Sequence, residues 1–349
     1  MPDFYSLKVA GLESLTPNSV AISFEIPDNL KTTFTYKAGQ YITLKKALDG
    51  EEVRRAYSIS SAPSSGGLTV GIKKVPNGTF STYANGALQV GDYLEVMPPE
   101  GRFTFDAEHE VQTIAAFAAG SGITPIVSIA KTVLKSNNTN RFVLIYGNRT
   151  PEETMYRSTL LNLQKEYFDR FFIVWSYSQS NEANCLFGRI DNATVNLVLK
   201  NRFKNFDFDA FYLCGPEQMI DTVSNALKKN GIAADRISFE LFTASAKEND
   251  TIPMLDGQTA LKVVLDDEEH HIQIDQKAFV LDGVLKNDID APYSCQGGVC
   301  SSCIARVTEG KAEMVKNQIL TDSEVEEGLI LTCQAQPLTP VLHIDYDDV

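Results

Sequence analysis

Four cysteines near the end of the chain limit its folding more than any other feature. Three stand in Cys295-Gln296-Gly297-Gly298-Val299-Cys300-Ser301-Ser302-Cys303, and the fourth, Cys333, stands alone downstream. This C-x4-C-x2-C…C pattern is one of the four-thiolate spacings that hold a [2Fe–2S] cluster. Thiolates are soft ligands suited to iron–sulfur chemistry. Three of them this close in sequence require a loop that wraps a small object. Gly297 and Gly298 permit such a loop and leave amide N–H groups free to face the sulfurs. Structural zinc usually takes two separated pairs of ligands, and Cys333, in Leu331-Thr332-Cys333-Gln334, has no partner beside it. A Rieske centre needs two histidines, and none of His109, His270, His271 and His343 stands at such a spacing to a cysteine. A disulfide framework does not suit a long chain without a secretory segment. Cys295, Cys300, Cys303 and Cys333 are therefore read as metal ligands, and Cys185 and Cys214 as free thiols.

The 349 residues allow two or three domains. The net charge is −14, and it is unevenly spread. Residues 259–349 carry 6 Lys+Arg against 17 Asp+Glu, while the first 258 residues carry 25 against 28. An acidic chain of this kind does not offer the basic surface that nucleic acid requires. The acidity of the tail serves solubility or steers a basic partner. Met1-Pro2-Asp3-Phe4-Tyr5 has neither the basic nor the apolar part of a signal peptide. The most apolar stretch, Val111 to Ala130, is interrupted by Gly120, Gly122 and Pro125. It reads as a buried strand, turn and helix, with no membrane insertion. A cytoplasmic location is expected.

Along the chain the texture changes twice. Residues 1–106 alternate apolar and polar residues in short runs, such as Val20-Ala21-Ile22-Ser23-Phe24-Glu25-Ile26, with turn residues between them. This pattern predicts an antiparallel β-barrel with one short helix near Thr79–Asn85. Residues 107–245 alternate apolar runs with helical patterns, predicting a doubly wound α/β domain with a parallel sheet. Its helices are expected at Pro125–Leu134, Pro151–Tyr167, Ala193–Leu199 and Glu217–Asn230. Residues 246–258 are polar and aperiodic and read as a linker. Residues 259–349 form the cysteine-bearing module, with a hairpin at Asp266–Glu269 and a helix from Lys277 to about Leu285.

Several stretches carry chemistry, and each has a plainer reading. Arg55-Ala56-Tyr57-Ser58 offers a cation, an aromatic ring and a hydroxyl on one strand, or is simply a strand. Gly78-Thr79-Phe80-Ser81-Thr82 opens a helix whose free N–H groups can bind phosphate, or is a capped helix without a ligand. Gly120-Ser121-Gly122-Ile123-Thr124-Pro125 joins a strand to a helix. It lacks the third glycine of the usual dinucleotide fingerprint, and a tight turn alone would explain it. Cys214-Gly215-Pro216 follows another strand, and a buried structural cysteine is common. Phe239-Glu240-Leu241-Phe242 closes the α/β region.

Taken in order, R-x-Y-S, a phosphate helix, G-x-G-I-T-P, C-G-P, E-x-F and then C-x4-C-x2-C…C, these stretches resemble the ferredoxin-NADP reductase-like oxygenase reductases that carry a C-terminal plant-type ferredoxin. The resemblance covers nearly the whole chain. Gly78–Asn85 and Tyr146-Gly147-Asn148-Arg149-Thr150 look most like the phenylacetyl-CoA epoxidase reductase branch, with ketosteroid hydroxylase reductases close by. The resemblance implies a β-grasp fold for the last module. It implies a flavin, FAD rather than FMN, held by Arg55, Tyr57, Ser58, Ile72, Lys73, Gly78, Ser81, Thr82 and Phe242. It implies NADPH or NADH at Gly120, Gly122, Thr124, Pro125, Cys214, Gly215 and Pro216. Cys214, Ser58 and Glu240 would lie at the hydride-transfer site.

A nicotinamide delivers two electrons at once and an iron–sulfur cluster accepts one, so a flavin between them reconciles the two. The expected function is an NAD(P)H reductase that passes electrons through FAD to the cluster and on to an oxygenase or other one-electron-accepting protein. Two alternatives stay open: a stand-alone flavin reductase or diaphorase with an accessory tail, and a non-enzymatic redox-sensing or zinc-binding module. The stretch Trp175-Ser176-Tyr177-Ser178-Gln179 has neither an arginine for a 2′-phosphate nor an acid for a free ribose, so the coenzyme is not decided.

Overall fold

The structure, a computed structural model, describes residues 4–106, 112–242 and 257–349. Most of the expected linker, 246–258, lies outside the described residues. The chain divides into two compact units. One is Tyr5–Phe242, and the other contains residues 257–349.

The larger unit begins with six antiparallel strands. They are β1 (Tyr5–Thr16), β2 (Ser19–Glu25), β3 (Tyr41–Leu48), β4 (Glu51–Ser58), β5 (Leu68–Lys73) and β6 (Tyr93–Val96). Their order is β4-β3-β6-β1-β2-β5. Ile59, just past β4, bridges to Val70 of β5, so the two ends of the sheet meet and close a barrel. Alternation sets the faces: in β1, Leu7 and Val9 are buried between exposed Ser6, Lys8 and Ala10. Helix α1 (Thr79–Gly86) packs on the barrel through Phe80 and Ala84, four residues apart and both buried. Truncating a buried Phe such as Phe80 costs about 3–5 kcal/mol.

The same unit continues with strands and helices in alternation. These are β7 (Thr113–Ala119), α2 (Ile123–Ser136), β8 (Arg141–Asn148), α3 (Arg157–Glu166), β9 (Phe171–Tyr177), β10 (Leu186–Phe187), α4 (Asn192–Leu197), β11 (Ala210–Cys214), α5 (Glu217–Lys229) and β12 (Ile237–Glu240). All six strands are parallel, in the order β10-β9-β8-β7-β11-β12. Ile114 to Ala118 of β7 are fully buried, as expected of a central parallel strand covered on both faces. The chain runs outward from β7 to β10 and then returns to β11. The carboxyl ends of β7 and β11 therefore flank the switch point where such folds bind ligands.

The helix expected over Pro151–Tyr167 is shorter than its pattern. It begins at Arg157, after turns that end in Tyr156 at φ 57°. The hydroxyl of Tyr156 reaches the barrel, where it donates to Ser60 Oγ at 2.8 Å, and that tertiary bond overrides the local helical pattern. Asp191 caps α4 with a reciprocal Thr194 contact, and the helix widens into a π turn over Val198–Arg202.

The smaller unit holds β13 (Gln258–Leu265), β14 (Glu268–Asp275), α6 (Val280–Lys286), β15 (Ile304–Glu309), β16 (Ala312–Met314), α7 (Asp322–Glu326), β17 (Leu329–Leu331), β18 (Ala335–Pro337) and β19 (Val341–Asp345). Its main sheet runs β14-β13-β19-β15-β17, with β13 and β19 parallel and the other pairs antiparallel. This is the β-grasp arrangement, with α6 burying Val280, Leu281 and Val284. Asp266 and Asp267 turn the first hairpin with positive φ, which two-residue hairpins favour. No helix among the described residues is long and apolar enough to cross a membrane.

Candidate functional site

At the switch point two loops meet backbone to backbone. A side chain at Gly122 would place its Cβ 2.2 Å from the carbonyl oxygen of Cys214. Only glycine fits there, and the 120–122 turn and the Cys214-Gly215 turn therefore form one cradle. Gly120 takes φ 56°, and its carbonyl accepts a hydrogen bond from the Tyr146 hydroxyl at 2.8 Å. Thr124 Oγ1 donates to Ser121 O at 3.0 Å, which steadies the start of α2. Pro125 is buried in the first turn of α2, and Pro216 is the N-cap of α5. Beside the cradle, at the end of β8, Asn148 Nδ2 is buried near the Tyr146 hydroxyl but makes no well-formed hydrogen bond among the described residues. Two glycine turns meeting backbone to backbone and a buried donor beside them fit a dinucleotide.

One wall of the barrel gathers the residues expected to hold a flavin. Arg55, Tyr57 and Ser58 follow one another on β4, which packs with β5 and α1. The rings of Tyr57 and Phe80 lie 5.6 Å apart, and burial pushes the Tyr57 phenol pKa up. Arg55 is exposed, and its Nη1 donates to the neighbouring Arg54 carbonyl at 2.6 Å. Ile72 is buried and Lys73 half-buried at the end of β5. Asn85 Nδ2 donates to Ile72 O at 3.3 Å, tying α1 to that strand. The Gly78 position is needed by its own loop, because a Cβ there would meet Ser81 Oγ at 2.5 Å. Ser81 is buried and accepts from the Val75 N–H at 3.1 Å. Its hydroxyl shapes the turn, while exposed Thr82 and the first N–H groups of α1 face outward. A wall with an aromatic face, an exposed guanidinium and a helix N-terminus fits a flavin with phosphate.

The two halves of the larger unit meet at Ser58, whose Oγ donates to Glu240 Oε2 at 3.0 Å. Glu240 ends β12, beside Cys214 at the end of β11, its partner in register. Burial raises the Glu240 carboxyl pKa to about 8, despite the Ser58 hydrogen bond that lowers it. Burial, and then Glu240 once it ionises, push the Cys214 thiol well up. Near neutral pH both groups keep their protons, so Ser58, Glu240 and Cys214 make a dry, uncharged corner. Phe242, two residues on, is 36% exposed.

In the smaller unit the four expected ligands come together. Cys295 and Cys300 sulfurs lie 3.0 Å apart, and Cys333 lies within hydrogen-bond reach of Cys295 and Cys303. The Gly297 N–H donates to Cys295 Sγ at 3.3 Å. Cys300, Cys303 and Cys333 are buried, whereas Cys295 is partly exposed. Four gathered thiols, with amides facing the sulfur of Cys295, fit an iron–sulfur cluster.

Some supports carry no motif. Gln334 Nε2 donates to Gln296 O at 3.1 Å and to Cys333 O at 2.8 Å, clamping the loop to the fourth cysteine. Tyr346 donates to Thr332 Oγ1 at 3.0 Å, and Thr332 Oγ1 donates to Cys303 O at 3.0 Å. In the larger unit, Gly71, Ser60 and Tyr156 meet at the join between barrel and sheet. Their only sequence signal was a glycine inside a strand pattern, which marks a close approach.

Comparison with known proteins accounts for each region. Residues 6–105 match the oxidoreductase FAD-binding domain, residues 117–225 the oxidoreductase NAD-binding domain, and residues 263–338 the 2Fe-2S iron-sulfur cluster binding domain. The chain is 36% identical to a component of the 1,2-phenylacetyl-CoA epoxidase of Escherichia coli (strain K12), covering 99% of both chains. It is 32% identical to the ferredoxin reductase component of 3-ketosteroid-9-alpha-monooxygenase of Rhodococcus rhodochrous, covering 97% of this chain and 96% of that one. Its fold is that of phthalate dioxygenase reductase, with a TM-score of 0.62 at 22% identity over 98% of both chains.

Proposed function

The chain belongs to the family of FAD- and NAD-binding reductases that end in a 2Fe-2S domain, and from that membership we propose that its physiological acceptor is an oxygenase component. It is an oxidoreductase that takes electrons from NAD(P)H through FAD to a [2Fe–2S] cluster. When bound, the cofactors supply hydride transfer and one-electron transfer.

The chain's own residues set the conditions for that chemistry. The observation that carries the reading is the Ser58–Glu240 bond. It joins the flavin-side strand to the nucleotide-side strand at the point where the two ligand cradles converge. Ser58, Glu240 and Cys214 exclude water and present no net charge near neutral pH. A dry corner of this kind strengthens the remaining electrostatic contacts and protects a transferring hydride from solvent. Arg55 and the amides of α1 orient the flavin phosphates. The glycine turns at Gly120, Gly122 and Gly215 would hold the dinucleotide, with Thr124, Pro125 and Pro216 shaping the turns and helix starts around it. Cys295, Cys300, Cys303 and Cys333 would hold the cluster, and Cys295 is the partly exposed one of the four.

We assign the acceptor to the epoxidase or monooxygenase class, the class named by the relatives. The protein works in the cytoplasm, without inserting into a membrane or binding nucleic acid. The test combines the purified chain, NAD(P)H and the oxygenase components of phenylacetyl-CoA epoxidase, and follows consumption of phenylacetyl-CoA. Turnover that requires the chain supports the acceptor. Turnover at the level of a control lacking the chain, with cytochrome c reduction intact, moves the acceptor outside this class. Cytochrome c reduction that persists after cluster loss would make the tail accessory.

A further inference from the structure

The join between the barrel and the parallel sheet has a built-in stop that the functional residues do not explain. Ser60 and Ser61 follow Ser58 along the chain. The Tyr156 hydroxyl donates to Ser60 Oγ at 2.8 Å, and Ser60 Oγ donates to Thr69 O at 3.1 Å. From α2, Lys131 Nζ donates to Ser60 O at 3.1 Å, and Ser128 Oγ donates to Ser61 O at 2.6 Å. Tyr156 is 6% exposed and takes φ 57°. An aromatic residue holds that left-handed conformation only when its surroundings over-determine it. Opposite it, Gly71 in β5 has no side chain to spare. A Cβ there would lie 2.6 Å from the Tyr156 hydroxyl and 2.9 Å from Thr124 Cγ2. The loop that starts α2 thus rests directly on the barrel backbone.

We propose that Gly71, Tyr156 and Ser60 are positioning residues that set how far the nicotinamide-side loop at Thr124 stands from the flavin-side strand at Ser58. The proposal rests on the functional reading above. Its physics is that of close packing. A filled, buried contact does not compress, so one added methyl at Gly71 must push Thr124 or Tyr156 away from the barrel. A displacement of about 1 Å at a hydride-transfer site can cost about 100-fold in rate. Neither Gly71 nor Tyr156 touches the reacting atoms. They act through Thr124 and Ser58.

The test is stopped-flow reduction of the bound flavin by NAD(P)H, expressed per bound flavin. It is read with flavin content, melting temperature and the Kd of the oxidised nucleotide. Gly71→Ala is expected to lower the limiting rate about 10- to 100-fold. Flavin content should stay close to that of the unaltered protein, the nucleotide Kd should rise by much less than the rate falls, and the melting temperature should drop by a few degrees, because overpacking a filled contact is destabilising. Tyr156→Phe, which removes only the hydroxyl, is expected to lower the rate about 5-fold, the worth of one hydrogen bond. Because the hydroxyl is the nearest of the atoms an alanine Cβ would meet, with Thr124 Cγ2 at 2.9 Å also in its way, Gly71→Ala with Tyr156→Phe should lose less than the product of the two single losses. Unchanged limiting rates in both single variants would overturn the proposal. So would losses that multiply in the double variant, or a fall in stability and flavin content with the rate per bound flavin intact. If the flavin of the unaltered protein is not reduced by either nicotinamide, the functional reading fails and the proposal with it.

Discussion

The corner at Ser58 and the loop at Cys295 reach their chemistry by opposite routes. Ser58 and Glu240 are 182 residues apart in sequence, and only the packing of a barrel on a parallel sheet brings them to 3.0 Å. Cys295, Cys300 and Cys303 sit on one loop, and two hydrogen bonds from Gln334 fasten that loop to the fourth ligand. The first site is buried, and its corner groups keep their protons near neutral pH. The second leaves Cys295 partly exposed. A hydride must be kept from water, whereas an electron can leave through a surface sulfur. The difference in burial matches the difference between the two kinds of transfer proposed for these sites.

The sharpest way to break this comparison is to remove one sulfur. Cys300→Ala should lose the cluster outright, a larger effect than the roughly 10- to 100-fold that changes outside the ligand shell produce. Iron content and cytochrome c reduction should collapse while ferricyanide reduction, which needs only the flavin, stays near normal. Survival of both activities would mean that the two regions are not in series.

Arg55→Ala tests whether the exposed guanidinium on β4 holds phosphate. A lost charge-assisted hydrogen bond is worth about 1.5–3 kcal/mol, so the flavin Kd should rise about 10- to 100-fold. Equilibrium dialysis reads it, and an unchanged Kd would remove Arg55 from the cofactor site.

Glu240 gives the larger unit a pH dependence that the smaller unit does not share. Its carboxyl has a pKa of about 8 in the folded chain, against an ordinary value of 4.5. Between these values the folded chain keeps a proton that the unfolded chain has released. The stabilisation from that proton is full below about 4.5, shrinks as pH rises and is gone above about 8. The slope approaches about 1.4 kcal/mol per pH unit as an upper limit. Glu240→Gln should flatten the fall in stability of the flavin-free protein between pH 6 and 8. Urea unfolding followed by Trp175 fluorescence would show it, and parallel curves for the two proteins would contradict the buried, protonated carboxyl.

The smallest effect is expected at the clamp. Gln334→Ala removes two neutral hydrogen bonds but no ligand, at about 1 kcal/mol each. The cluster should assemble and then lose iron to a chelator several-fold faster. Loss at the unaltered rate would show that the loop holds itself.

Legibility followed the same divide. The gathering of Cys295, Cys300, Cys303 and Cys333 could be read as a spacing because three of them share one loop. The parallel sheet was legible in the apolar runs at Ile114–Ala118 and Phe142–Tyr146, whose burial on both faces leaves no alternation to mistake. That Ser58, Glu240 and Cys214 come together was legible only through the order of weak motifs. No local pattern says that strand ends so far apart will meet. Tyr156 was misplaced inside a longer helix, because the bond to Ser60 that breaks the helix there is a tertiary one. Gln334 and Tyr346 left no sequence signal at all, since one glutamine or tyrosine means nothing until its partners are in place.

The backbone contact between Gly122 and the Cys214 carbonyl has a consequence for engineering. A cradle made of main chain cannot be retuned one side chain at a time, because a Cβ at Gly122 would collide with that carbonyl. Attempts to change which nicotinamide coenzyme the protein prefers should therefore begin elsewhere. At the ends of β8 and β9, Arg149 and Gln179 are exposed, while their backbones are pinned together by the Gln179 N–H donating to Arg149 O at 2.9 Å. That rim offers replaceable side chains on a fixed frame, away from the corner at Ser58 and Glu240 proposed for hydride transfer.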